Sequence, residues 1–414
     1  MFHFSKQDAQ VLRRLAMEVK EASRRDNSEE KIAFWKRHTS LKGERPAVFV
    51  FPDDSYGELI PWDSLECEDG FARELEMQMR KVLLQARYIP DDVPILDTII
   101  VKKVIHNTMW GVTPKREANP GDKGSAWHHV CIIEDPDDWG KLSKPVVSYD
   151  EQTTMERYQA VCETLGDILT PVLEGYNKFI SSLMHWYCDY RGLDNLLYDF
   201  IEEPEMVHSV MRFFTDGYIS MCRQLEEQNL LSLNNNNSYF YTGGVGYNEE
   251  LPGADFDPNH VKLHNLWGAS EAQELAVVSP QMHNEFALTY EKEILSQFGL
   301  TGYGCCEDLG KKLDYVLQIP RLRRVAVCPW ADIADFQPVL KDRYIMTWKP
   351  QPAFMAFDRF AEEEIRRELT EGIRKARGGR LELILRDTTT VRKEPERFTQ
   401  WVNLARQIIA ENWG

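Results

Sequence analysis

Phe298-Gly-Leu-Thr-Gly-Tyr303 runs straight into Gly304-Cys-Cys-Glu-Asp308, and the seam between the two decides the fold. The first six residues read as a short strand. Behind the acidic pair, Leu309, Leu313, Val316 and Leu317 repeat at helical spacing. The cluster of two thiols and two carboxylates therefore sits at a strand-to-helix turn. In a parallel α/β protein the carboxyl ends of the strands form the rim where side chains converge on a ligand, so soft anionic groups placed there suit metal or acid/base chemistry. Packing is the competing reading, because unpaired cysteines are among the most buried residues.

Outward from this turn the same alternation recurs. Strand-like segments fall near 239–245, 261–266, 299–303, 324–327, 344–347 and 381–385. Between them, Ser279-Pro280 supplies a cap and first turn for a helix carrying Phe286, Tyr290 and Ile294. A helix with Ile365, Leu369 and Ile373 stops at Gly378-Gly379, and the last runs from Pro395 through Ile408. Towards the amino terminus, Ser5 and Asp8 mark the start of a helix with the stripe Leu12, Leu15, Ala16 and Val19. Pro46 to Phe51 reads as a first strand and 69–87 as a second helix, whereas 93–150 holds short β-like runs broken by Pro114, Pro120-Gly121 and Pro136. The expected organisation is an amino-terminal helical segment with the first strand (1–90), a strand-rich insertion or lid (91–159), and the main α/β unit (160–414). Strands and helices in alternation imply a parallel sheet, open or closed into a barrel.

The chain has 414 residues, 43% hydrophobic and 28% charged, enough for a large core. Its net charge of −17 argues against nucleic acid as a partner. The basic run Arg321, Arg323 and Arg324 reads as a solvated edge. No run of about 18 apolar residues is present, so no membrane span or signal core is expected and the setting is read as cytoplasmic. Eight scattered cysteines imply reduced thiols. Cys305 and Cys306 are expected to point opposite ways, as neighbours on a strand do. By the same rule His128 and His129 are poor joint ligands of one metal.

The residues that follow each strand form a coherent list: Trp267 to Glu271, Gly304 to Asp308, Cys328 to Asp332, Trp348-Lys349-Pro350 and Arg386-Asp387-Thr388. Cys328 is read equally as ligand or packing, Trp330 and Trp348 as ligand-stacking or core. Asp308 and Asp332 suit helix caps, and Lys349 or Arg386 could pair with acids. Glu271, in a Gly-Ala-Ser turn, is a candidate for acid/base work.

The order of these phrases carries a resemblance. Arg191-Gly-Leu-Asp-Asn-Leu-Leu-Tyr-Asp199, Glu203-Pro-Glu-Met-Val-His208, Trp267-Gly-Ala-Ser-Glu-Ala-Gln273, Ser279 to Phe286, Gly304-Cys-Cys-Glu307, Cys328-Pro-Trp-Ala-Asp332 and Leu381 to Thr388 together resemble the uroporphyrinogen decarboxylase superfamily. The likeness covers about 191–413 and implies a (β/α)8 TIM-type barrel with a helical amino-terminal extension and a site at the carboxyl ends of its strands. An Arg-Gln-Ala-Gly-Arg-type phrase that would grip a polycarboxylate tetrapyrrole is absent, and Phe51-Pro-Asp-Asp-Ser-Tyr-Gly57 stands in its place. The resemblance therefore points to the corrinoid-dependent methyltransferase branch, of the O-demethylating kind.

That branch binds zinc through a His-x-Cys element and a later Cys. Only Cys306 matches, Gly304 falls where the His would be, and the later Cys falls near Arg386 or Asp387. The resemblance implies a mixed zinc site of Cys306, Glu307 and Asp387 with Cys328 or Glu271, in which Glu271, Glu307 and Asp387 serve catalysis. Trp267, Trp330, Trp348 and Lys349 are the implied substrate-binding residues. No Asp-x-His-x-x-Gly corrinoid element occurs in the chain, so the corrinoid is expected on a partner protein, with a small methylated, methoxylated aromatic compound as donor and a homodimer left open. The alternatives are a metal-independent decarboxylase of a small acid and a non-catalytic corrinoid- or tetrapyrrole-binding barrel.

Overall fold

The computed structural model describes residues 2–118, 127–239 and 243–413. Its strands are β1 (Ala47–Val50), β2 (Thr98–Lys102), β3 (Val104–Asn107), β4 (Lys115–Ala118), β5 (Trp127–Val130), β6 (Val147–Asp150), β7 (Thr170–Glu174), β8 (Ile180–Ser181), β9 (Trp267–Ser270), β10 (Leu300–Tyr303), β11 (Leu322–Val327), β12 (Ile345–Trp348) and β13 (Arg380–Leu385). Seven of them form one sheet in the order β1-β13-β12-β11-β10-β9-β8, every pair parallel. β2 and β7 make a separate parallel pair.

Both faces of this sheet are covered, as parallel strands require. On the outer face Val48, Val325, Val327, Met346, Trp348, Leu381, Leu383 and Leu385 pack under the helices Ile333–Leu340, Glu362–Lys375 and Glu396–Asn412. The inner face alternates with it. Ala47, Phe49 and Ile384 meet Trp35, Val93, Val245 and Tyr247, and deeper in lie the polar side chains of Arg324, Thr347 and Glu382, all fully buried. Residues 243–247 fill this interior. A Cβ at Gly243 would lie 1.7 Å from Thr347 Cγ2, and Gly244, at φ +63°, leaves no room beside Arg324 and Glu382. Only glycine can pass there.

Arg324 Nη2 donates to Glu382 Oε1 at 2.9 Å and to the Val245 carbonyl at 2.9 Å, while Thr347 Oγ1 donates to Glu382 Oε2 at 3.1 Å. This corrects the reading of Arg324 as a solvated edge. Its partner stands 58 residues away in sequence, and a strand neighbour such as Arg323 is the one that turns outward, to pair with Glu250.

The expected α/β class is present, with two adjustments. Pairing among the described residues leaves β1 and β8 as the edges of the seven-stranded sheet, so it gives no closed ring. The segment 261–266 is a 3₁₀ turn at Leu263–Asn265, and the strand itself starts at Trp267. Of the segment 239–245, residues 240–242 lie outside the described residues, and Tyr239 and Val245 meet in an isolated antiparallel bridge. The amino-terminal helix Lys6–Arg25 begins at Ser5, whose Oγ accepts from Asp8 N at 3.0 Å. Its stripe packs on Phe71, Leu75 and Met79 of the helix Gly70–Tyr88. Within 91–159, β3 pairs with β6 and β4 with β5, both antiparallel. Trp110, Ile133, Leu142 and Val147 from this stretch share a core with the helices Leu183–Arg191 and Pro204–Glu227. Among the described residues no helix is long and apolar enough to cross a membrane.

His38 lies beside the inner ion pair, Nε2 at 3.7 Å from Glu382 Oε1. Burial first, then Arg324, lowers its pKa to about 4, against the pull of Glu382. The native imidazole is thus neutral at a pH where the unfolded one, near pKa 6.5, already takes a proton. The stability this contributes is complete above about pH 6.5 and is lost as pH falls towards 4, with a slope of up to about 1.4 kcal/mol per unit. Urea-unfolding midpoints of wild type and His38→Gln between pH 7.5 and 4.5 should show a shallower acid loss in the variant.

Candidate active site at the carboxyl ends of the strands

Because side chains alternate along a strand, the position two residues past each inner-facing one points into the mouth. That places Glu271 beyond Ala269, Cys328 beyond Ala326, Lys349 beyond Thr347, Arg386 beyond Ile384 and Phe51 beyond Phe49. The exception is β10, where the chain bends at Gly304, which has φ +92°.

Glu307 makes that bend. Its side chain is fully buried, Oε2 accepting from Cys305 N at 2.9 Å and Oε1 from Ala272 N at 3.2 Å, so one carboxylate ties the exit of β10 to the exit of β9. The bend brings Cys305 Sγ within 3.4 Å of Cys306 Sγ. The expectation that these two thiols diverge is therefore corrected: it assumed extended backbone, and the segment is a tight turn. Lys349 Nζ donates to the Cys305 carbonyl at 3.1 Å and stands 3.7 Å from its Sγ. Cys305 is buried and Cys306 partly exposed. The adjacent Cys305, followed by burial, pushes the Cys306 thiol well up, and Lys349 offsets only part of this.

Glu271 is buried in the neighbouring turn, where Oε2 accepts from Gln273 N at 3.0 Å. Burial raises its pKa well above the carboxylate range, and the nearby Glu274 and Glu307 raise it further. Both effects favour its protonated form. Glu274 Oε1 in turn lies 3.0 Å from His185 Nδ1.

On the other side of the mouth, Arg386 Nη1 donates to Tyr239 Oη at 2.7 Å and its Nε to Asp387 Oδ1 at 3.0 Å. Asp387 N donates to Asp53 Oδ2 at 2.5 Å. Phe51 stacks on Tyr239 with centroids 4.7 Å apart. Phe51 and Tyr239 were not among the expected site residues. The parity of β1 could have given Phe51, whereas Tyr239 comes from a loop with no local signal.

The three tryptophans do not form a slot. Trp267 lies on the strand, buried beneath Arg324, with Nε1 donating to the Gly246 carbonyl at 2.9 Å. Trp348 faces outward onto Gly372, where a Cβ would lie 2.1 Å from the ring. Trp330 is 64% exposed on the turn after β11. Cys328 is fully buried, which raises its thiol to about 11. The side chains of His128 and His129 lie outside the described residues.

Nor do the donors expected for zinc gather. Among the described residues no group of three or more His, Cys, Asp and Glu side chains is set to hold a metal ion. Both oxygens of Glu307 are turned to backbone N–H groups, and Asp387 is held by Arg386. The residues present do not fit the mixed set of Cys306, Glu307, Asp387 and Cys328. A groove of about 1590 Å³ between the helices Lys6–Arg25, Ser28–Arg37 and Glu396–Asn412 shares no residue with this mouth.

No family model matches the sequence, and no curated protein does. The fold has a counterpart among solved structures. The structure is similar to a methyltransferase from Methanosarcina mazei, with a TM-score of 0.51 and 10% identity, over 91% of this chain and 98% of that one. At this identity the likeness is one of fold.

Removing the Glu307 carboxylate leaves two buried N–H groups without an acceptor, each loss costing about 1–3 kcal/mol. Glu307→Ala is expected to lower stability by about 2–6 kcal/mol in urea unfolding and to speed maleimide labelling of Cys306. Unchanged values for both would remove Glu307 from its part in the turn.

Proposed function

We propose that this chain transfers a methyl group from a small methylated donor, a methoxylated aromatic compound, to the cobalt of a corrinoid carried by a partner protein. The reading takes the fold as a (β/α)8-type barrel. β2 lies between β1 and β8 in chain order and pairs in parallel with β7, which leads directly towards β8, as the one strand still needed for such a ring would. The observation that carries the reading is the likeness along nearly the whole length to a methyltransferase, joined to the acid groups at the strand ends.

An ether oxygen leaves only when its developing charge is met. In the proposed step the reduced cobalt attacks the methyl carbon, the C–O bond breaks with its electrons on oxygen, and a proton passes to that oxygen. Glu271 is the proposed donor, since burial and the neighbouring carboxylates favour its protonated form. The Lys349 ammonium, beside Cys305, adds positive charge near the leaving oxygen. Phe51 and Tyr239 offer an apolar wall for the ring of the donor. Trp330, exposed at the rim, is proposed to meet the partner rather than the donor.

The test is to follow the cobalt spectrum of an added reduced corrinoid protein with a panel of methoxylated donors. Methylation of cobalt that requires this chain supports the reading; donor turnover at the same rate without corrinoid, with carbon dioxide released, overturns it in favour of a decarboxylase. Glu271→Gln should slow transfer by about 10²-fold or more while leaving donor affinity near that of wild type. The wild-type rate should fall as pH rises through the raised pKa of Glu271, because the acid must be protonated to act. A pH profile that persists in Glu271→Gln would assign the proton to another group.

A further inference from the structure

We propose that Cys305 and Cys306 form a chelating site for a trivalent, thiophilic metalloid centre, the class that includes arsenous and antimonous acids and their organic derivatives. The site is independent of the methyl-transfer reading. It rests on the 3.4 Å separation of the two sulfurs, which the bend at Gly304 and the Glu307 carboxylate impose before any ligand arrives.

The separation selects the geometry of the guest. If the shared atom lies about 2.3 Å from each sulfur, as in a zinc–thiolate bond, 3.4 Å subtends about 95° at that atom. A two-coordinate linear cation needs its sulfurs on opposite sides and is excluded by this spacing. A tetrahedral ion would need further donors, and no third His, Cys, Asp or Glu side chain joins the pair in a metal-holding group among the described residues. A pyramidal trivalent centre keeps its bonds near a right angle and needs only two protein sulfurs when its third position carries its own substituent.

The chemistry also balances without an oxidant. An organic arsenous oxide, R–As=O, meets two S–H groups; two As–S bonds form, the As=O bond is replaced, and both thiol protons leave with the oxygen as water. Arsenic stays trivalent throughout. Lys349, donating to the Cys305 carbonyl and close to its sulfur, is placed to relay one of these two protons to the departing oxygen, taking it back from the thiol. Entry is from the Cys306 side, which is the partly exposed thiol.

The experiment uses the reduced full-length chain and phenylarsine oxide as probe, read by intact mass and by counting thiols after denaturation. The expected result is one arsenical per chain and the loss of two of the eight thiols, reversed by a dithiol and not by the same concentration of a monothiol. Cys306→Ser, at a partly exposed position, should keep the native circular dichroism spectrum and weaken binding by about 10²–10⁴-fold, since a single sulfur loses the chelate effect. Cys162→Ala should bind as wild type. Retention of full affinity in Cys306→Ser, or adducts spread over other cysteines, would overturn the proposal. Cys305→Ala gives a second check, in which the Cys306 thiol remains and only the chelate is removed.

Discussion

A charge pair sealed inside the sheet constrains everything above it. Arg324 on β11 reaches across β12 to Glu382 on β13, and Thr347 on the strand between them joins the same carboxylate. With neither charge exposed, loss of one partner would leave the other buried and uncompensated, on the order of 3–5 kcal/mol. The pair therefore specifies more than it stabilises. A one-residue slip of any of these three strands would turn its polar residue into the outer apolar core and its outer residues into the interior. The same parity decides that Lys349, Arg386 and Cys328 face the mouth and that Trp348 does not.

Above this floor, the mouth is organised by a different device. Backbone N–H groups at the exits of two neighbouring strands share one carboxylate, that of Glu307. A carboxylate committed to two N–H donors is a poor metal ligand, because coordination would have to break bonds already made to buried donors. This explains why a residue that stands in the right place along the sequence for a replacement zinc ligand serves as a structural tie. Its neighbour Glu271 shows the opposite outcome of burial. It has one backbone donor and further carboxylates close by, so it is driven to keep its proton.

Much of the architecture was legible because it is local. The Ser5 and Ser279 caps form as their spacing implies, the Gly378 stop takes φ +78°, and β10 and β13 lie where apolar runs end in polar turns. What could not be read depends on distant partners or on parity. Arg324 looked solvated because Glu382 is far away in sequence. β9 was placed too early because Val261 to Leu266 alternates like a strand, whereas Trp-Gly-Ala-Ser lacks β-branched residues and owes its strand form to β8 and β10 on either side. That Glu271, Cys306 and Lys349 lie at the carboxyl ends of the strands could be read from position alone. The convergence of the two thiols could not, since it follows from a positive φ and a side-chain bond to the backbone.

The electrostatic state of the mouth narrows its chemistry. A nucleophilic cysteine needs a lowered pKa, supplied by a cation, a helix amino terminus or a metal. Here Cys306 has a second thiol at 3.4 Å and partial burial, and both keep it protonated against the nearby ammonium. The same logic of low dielectric and like groups shifts Glu271 towards its acid form. The carboxyl ends of these strands therefore present proton donors and a cation where a nucleophile would otherwise stand. The proposed methyl transfer rests on this distribution, since it asks the chain for a proton donor at the departing oxygen and takes its nucleophile from the proposed partner.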